Sequence, residues 1–157
     1  MQLSEHFTLA ELTATNVRGA LNLTTEAEIM RLKSLCAVIL EPIRTQYSSP
    51  VIVHSGYRSP AVNKAVGGSK TSQHMRGEAA DLHVVGVDFF TVARFVVEYL
   101  DFDQLILEFC DPSGFGRGWV HCSHKTGLNR HLITEATSVL GRTKYRNITA
   151  AQIPTVA

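Results

Sequence analysis

Ser72-Gln73-His74-Met75-Arg76-Gly77-Glu78-Ala79-Ala80-Asp81 carries most of the chemical information in this chain. His74 is a neutral imidazole at working pH and a good zinc ligand, and Asp81 supplies an oxygen donor. Gly77 stands between them, and a turn there brings a loop histidine beside a strand aspartate. Asp81 sits in the apolar run Ala79-Ala80-Asp81-Leu82. A carboxylate is rarely buried unless it is paired or binds a metal. A third ligand is available downstream in Trp119-Val120-His121-Cys122-Ser123. Period two puts Trp119, His121 and Ser123 on one face of that strand and Val120 and Cys122 on the other. Two histidines and one carboxylate leave a coordination position open, the form of a catalytic zinc site. On spacing alone the same residues also read as a loop histidine, a strand-end cap and a satisfied core histidine.

Outward from this stretch the chain reads as alternating helices and strands. Thr8 and Glu11 form a capping box for a short helix, and Thr25 and Glu28 form one for a long helix. In the long helix Ile29, Leu32, Cys36, Ile39, Leu40 and Ile43 fall at helical spacing, and Pro42 is expected to kink it near its end. Val51-Ile52-Val53-His54-Ser55 reads as a buried strand bounded by Pro50 and Gly56. Ser59-Pro60 opens a short helix. Residues 79–85, 104–109 and 119–123 read as strands, and Asp88 caps a second long helix. These elements predict a single α+β domain with a small, mostly antiparallel sheet packed against helices. The core is expected over about 3–124, with 125–157 as a C-terminal extension.

Composition narrows the function classes. The chain has 157 residues, 45% hydrophobic and 18% charged, which is the profile of one globular domain. Lys+Arg is 15 against Asp+Glu 14. That balance argues against a nonspecific nucleic-acid binder, so no nucleic-acid partner is expected. No apolar run approaches transmembrane length. The start Met1-Gln2-Leu3-Ser4-Glu5-His6 lacks the basic and apolar regions of a secretory signal, so synthesis in the cytoplasm is expected. Cys36, Cys110 and Cys122 form no CxxC pair and read as free thiols. No GxSxG elbow or Walker motif is present.

Ser55-Gly56-Tyr57-Arg58-Ser59, Gly67-Gly68, the stretch 72–81 and Trp119-Val120-His121 together closely resemble the zinc D-Ala-D-Ala carboxypeptidase family. That family belongs to a wider group of cell-wall metallopeptidases that includes the hedgehog signalling fold. The opening Ser4-Glu5-His6-Phe7-Thr8-Leu9-Ala10-Glu11-Leu12 is similar to small, often phage-encoded members. The resemblance runs over about 3–124. It implies Zn²⁺ as cofactor, His74, Asp81 and His121 as its ligands, and peptidoglycan stem peptides as substrate. It also implies that Arg58 neutralises a substrate carboxylate or the oxyanion, as its planar fork suits; a structural salt bridge is the other reading. Ser72 and Gln73 are then expected to bind substrate, with Tyr57 and Trp119 as cleft walls or as core.

Peptide hydrolysis also needs a general base. Many relatives carry an acid three positions before the last histidine ligand, where this chain has Gly118. Glu108 is the replacement candidate: it is the only acid at the end of the apolar run Gln104-Leu105-Ile106-Leu107-Glu108, and the turn over 110–118 pairs that strand with the one bearing His121. Glu78 and Asp111 are weaker candidates, and Glu108 also reads as a solvent-facing strand end. Ser123 and His83 are expected near the ligands or as ordinary polar residues.

The expected function is a zinc metallopeptidase that cuts peptidoglycan stem peptides or cross-links. It would serve as a phage or prophage lysis enzyme that reaches the wall through a holin-type pore, or as a virion component. The alternative is a non-catalytic zinc-containing wall-binding or virion structural module, which Gly118 keeps open. Residues 127–157, with Arg130, Arg142, Lys144 and Arg146, complete the fold, cover the cleft, contact the anionic wall or form a solvated tail.

Overall fold

A computed structural model describes residues 1–156, and its elements follow from local sequence signals. Helix α1 (Leu9–Leu12) is opened by the Thr8–Glu11 box. Helix α2 (Glu26–Leu35) is opened by Thr25, whose N–H donates to Glu28 Oε2 at 2.6 Å. It runs through a π-helical turn, Cys36–Leu40, into α3 (Glu41–Tyr47). The expected kink takes this form for a physical reason. Pro42 has no N–H and its ring collides with the carbonyl one α-turn back, so a wider turn ahead of it relieves the clash.

Strand β1 (Val51–Ser55) is followed by α4 (Pro60–Ala65), whose N-cap Ser59 accepts from Val62 N–H. A 3₁₀ turn, Gln73–Arg76, leads into β2 (Ala79–Val84). Then come α5 (Phe89–Tyr99), capped by Asp88, β3 (Gln104–Glu108) and β4 (Trp119–Ser123). Two more strands, β5 (Leu132–Val139) and β6 (Arg142–Asn147), complete a six-stranded sheet in the order β1-β2-β4-β3-β5-β6. Among the described residues only β3 and β5 pair in parallel. The solvated-tail reading of the C-terminal segment is therefore corrected. Its alternation was masked because every residue of β6 is exposed, so no apolar period marks that strand.

One face of the sheet carries Leu82, Val84, Leu105, Leu107, Val120, Cys122 and Ile133. It packs against Leu32, Ile39, Leu40 and Ile43 of the first helical run and Phe90, Ala93 and Val96 of α5. The other face is open and polar. Asp81 and His121 stand opposite each other across β2 and β4, and Ile106 stands opposite His121 across β3. The helices thus cover one side and leave the other as the floor of a cleft. No helix among the described residues is long and apolar enough to cross a membrane.

Candidate metal centre

The 3₁₀ turn that holds His74 ends at Gly77, where φ is +72°. A Cβ at that position would lie 2.8 Å from the Glu28 carbonyl oxygen of α2. Glycine therefore both permits the left-handed turn and lets it seat against the helix. The chain then enters β2 and delivers Asp81. His74 Nδ1 lies 2.7 Å from the Gly56 carbonyl oxygen. A carbonyl only accepts, so Nδ1 carries the proton and Nε2 presents its lone pair. Arg58 N–H donates back to the His74 carbonyl at 3.1 Å, so residues 56–58 clamp the histidine from two sides.

Three ligand atoms converge. His74 Nε2 is 3.2 Å from Asp81 Oδ1 and 3.1 Å from His121 Nδ1, and His121 Nδ1 is 2.9 Å from Asp81 Oδ1. Zinc bonds of about 2.0–2.1 Å in tetrahedral geometry set ligand atoms about 3.3 Å apart. The donor set and its spacing fit that ion within a few tenths of an ångström. His74, Asp81 and His121 are all buried and form the only such group of metal donors among the described residues. Burial pushes the His74 imidazole below its ordinary range, against the pull of Asp81, which keeps it neutral as a ligand must be. Burial alone would raise Asp81; His74 and His121 outweigh it and hold the carboxyl far below the usual range, so it stays ionised.

Asp81 Oδ2 accepts from Arg58 Nη2, and Arg58 Nε donates to Ser55 Oγ at 2.7 Å. The salt-bridge reading of Arg58 is therefore realised on one of the candidate metal donors, and the same side chain also lines the cleft. That cleft has a volume of about 1120 Å³, and Ser72, Gln73, Glu108 and Trp119 also line it.

Tyr57 does not; it is buried in the hydrophobic core at 5% exposure. The cleft-wall expectation for Tyr57 is corrected: the chain turns at Gly56 so that Arg58 faces the cleft and the preceding ring packs inward. Ser123 is fully buried and accepts from Gln104 N–H at 3.0 Å, so it ties β3 to β4 and does not touch the ligands. His83 pairs with His54, nitrogen to nitrogen at 2.7 Å, and is not part of the donor group. Glu78 is held by Arg76 at 2.7 Å, and Asp111 accepts from Ser113 N–H at 2.9 Å. Neither lines the cleft.

Gly118 has φ +107°, and a Cβ there would lie 2.6 Å from Cys110 Cα and 2.7 Å from the Glu108 carbonyl oxygen. No acid fits at that position. Glu108 stands opposite Trp119 on the neighbouring strand, at the same end of the cleft. Beside it Phe109 and Trp119 form an edge-to-face pair with ring centres 5.7 Å apart. Burial, reinforced by the Asp81 charge, pushes the Glu108 carboxyl above its ordinary range. Among the described residues no side chain hydrogen-bonds its carboxylate. Sequence reasoning missed Asp103, Lys125 and Tyr145, which also line the cleft. Only the apolar β3 run beside Asp103 hinted that this acid was interior.

A buried His-Asp-His donor group on the open face of an α+β sheet, with a raised carboxyl in the same cleft, defines a metallohydrolase type of centre. The Peptidase M15 family model matches residues 5–123, and the chain belongs to that family. M15 peptidases are zinc enzymes, so the chain is a metallopeptidase by family and by donor set. A comparison with curated proteins finds no match.

Proposed function

We propose that this protein is a zinc-dependent peptidase that hydrolyses peptidoglycan stem peptides or their cross-links, with Glu108 as general base. The observation that carries the reading is the convergence of His74 Nε2, Asp81 Oδ1 and His121 Nδ1 in a cleft that Glu108 also lines. Zinc, when held by those three residues, supplies Lewis acidity that polarises a carbonyl and makes water a better nucleophile. Glu108 takes the proton of the attacking water on a carboxylate oxygen and passes it to the leaving amine; its raised pKa suits a group that must both accept and release a proton. Arg58 fixes Asp81 through Oδ2, so that Oδ1 faces the two imidazoles, and its remaining donors serve the developing oxyanion. Ser72, Gln73 and Trp119 align the peptide along the cleft. Action at the bacterial wall, as a phage or prophage lysis protein or a virion component, accords with the resemblance of the motifs.

The reading is tested by incubating the zinc-loaded protein with purified peptidoglycan and weighing the released fragments by mass spectrometry. Chelator-sensitive release of defined peptides is expected, and their masses name the bond. Stable binding to walls of several types without any release would contradict it and favour a non-catalytic wall-binding module.

A further inference from the structure

Asp103 is 1% exposed and sits at the base of the cleft wall. Arg130 grips it through Nε at 3.0 Å and Nη2 at 2.5 Å, both to Oδ2. Lys125 Nζ lies 2.9 Å from Oδ1, and Gln73 Nε2 donates to Oδ2 at 3.1 Å. One carboxylate thus gathers two cations, and one positive charge is left in excess. Asp103 is buried, whereas the Lys125 and Arg130 side chains are 34% and 51% exposed, and both line the cleft. Their heads are held in place before any ligand arrives, which lowers the ordering cost of binding. Asp103 occupies the Nε–Nη2 edge of Arg130 and one direction of the Lys125 ammonium. Arg130 Nη1 and the other ammonium protons remain as donors.

The place of this cluster matters. Asp103, just ahead of β3, is three residues from Ile106, which stands opposite His121. That is about 10 Å along the chain, the reach of about three residues of extended peptide. Glu108 lies at the other end of β3. The cleft is therefore cationic on one side of the metal ligands and carboxylate-bearing on the other. Arg58, the cation expected to meet a substrate carboxylate, is already engaged by Asp81 and Ser55. Lys125 and Arg130 both follow the matched residues 5–123, in the loop between β4 and β5.

We infer that Lys125 and Arg130, locked by Asp103 and flanked by Gln73, form an anion subsite for a carboxylate of the peptide substrate within about three residues of the scissile bond. The inference rests on the peptidase reading. The carboxylate is either the peptide's own C-terminus or one borne by an acidic residue.

The test uses the zinc-loaded full chain and two pairs of short stem-type peptides. One pair differs as C-terminal acid against amide, the other as internal glutamate against glutamine. The parent is expected to favour the acid of one pair at least ten-fold in kcat/KM, and the pair affected names the source. Lys125→Met and Arg130→Gln should each cut that preference three-fold or more, chiefly through KM. Lys125→Arg should keep it. Melting temperature and zinc content, measured on each variant, separate a lost subsite from a lost fold. Turnover without a preference in either pair, or a preference that survives in both folded variants, overturns the subsite. Calorimetric binding of the same peptides to Glu108→Gln separates the two readings: acid-selective binding with no turnover by the parent overturns the peptidase reading and leaves the subsite standing.

Discussion

At Gly118 the backbone takes φ +107°, and the space a side chain would need is filled by the backbone of Cys110 and Glu108. The departure from the family pattern is thus a packing fact, and the proposed base, Glu108, stands one strand over. Gly118→Ala should lower stability by about 2 kcal/mol or more, measured by denaturant unfolding, because it adds both a left-handed strain and a backbone clash. Gly118→Glu should fare worse and should not substitute for Glu108. Asp103 gives the pH dependence. Burial raises its carboxyl, but Arg130 and Lys125 outweigh burial and hold it well below the usual range. A carboxyl depressed in the folded state adds stability above its unfolded pKa of about 3.9 and loses it as pH falls toward the folded value. Stability should therefore drop below about pH 5, and Asp103→Asn should flatten that part of the curve. An unchanged acid limb in the variant would remove Asp103 from the account.

At the scale of elements, the long helical run, α4, α5 and strands β1 to β4 were legible because each carries a strong local signal. Capping boxes at Thr8 and Thr25, the Ser59-Pro60 start and the Asp88 cap all act where the sequence places them. The β5–β6 hairpin was not legible. Its outer strand is exposed throughout, and its apolar contribution is confined to residues such as Ile133 and Ala136. Yet β5 covers the edge of β3, and β6 brings Thr143, Tyr145 and Asn147 to the cleft. Truncation after residue 131 should leave β3 as an unpaired edge beside a partly uncovered core. The expected result is a lower unfolding midpoint and a tendency to aggregate, read by circular dichroism and gel filtration. A truncated chain with the parent's midpoint would show that the hairpin serves the cleft alone.

Across the whole molecule the division is simple: helices bury one face of the sheet, and the other face gathers the chemistry. The candidate donors His74, Asp81 and His121 were legible chiefly through the resemblance of their motifs, since spacing alone also allowed a loop histidine, a strand-end cap and a core histidine. The fate of Tyr57 and the Asp103–Lys125–Arg130 cluster were not, since they depend on which way a turn points and on partners about 20 to 30 residues apart along the chain. The central claim joins both halves: His74, Asp81 and His121 hold zinc, and Glu108 moves the proton. One measurement addresses it directly, namely zinc content and peptidoglycan turnover on the same samples of the parent and Glu108→Gln. The account predicts about one zinc per chain in both proteins, with turnover in the variant lower by about 10²–10⁴-fold. Near-normal turnover by the zinc-loaded variant would contradict the role of Glu108, and a parent protein that binds no zinc would contradict the centre itself.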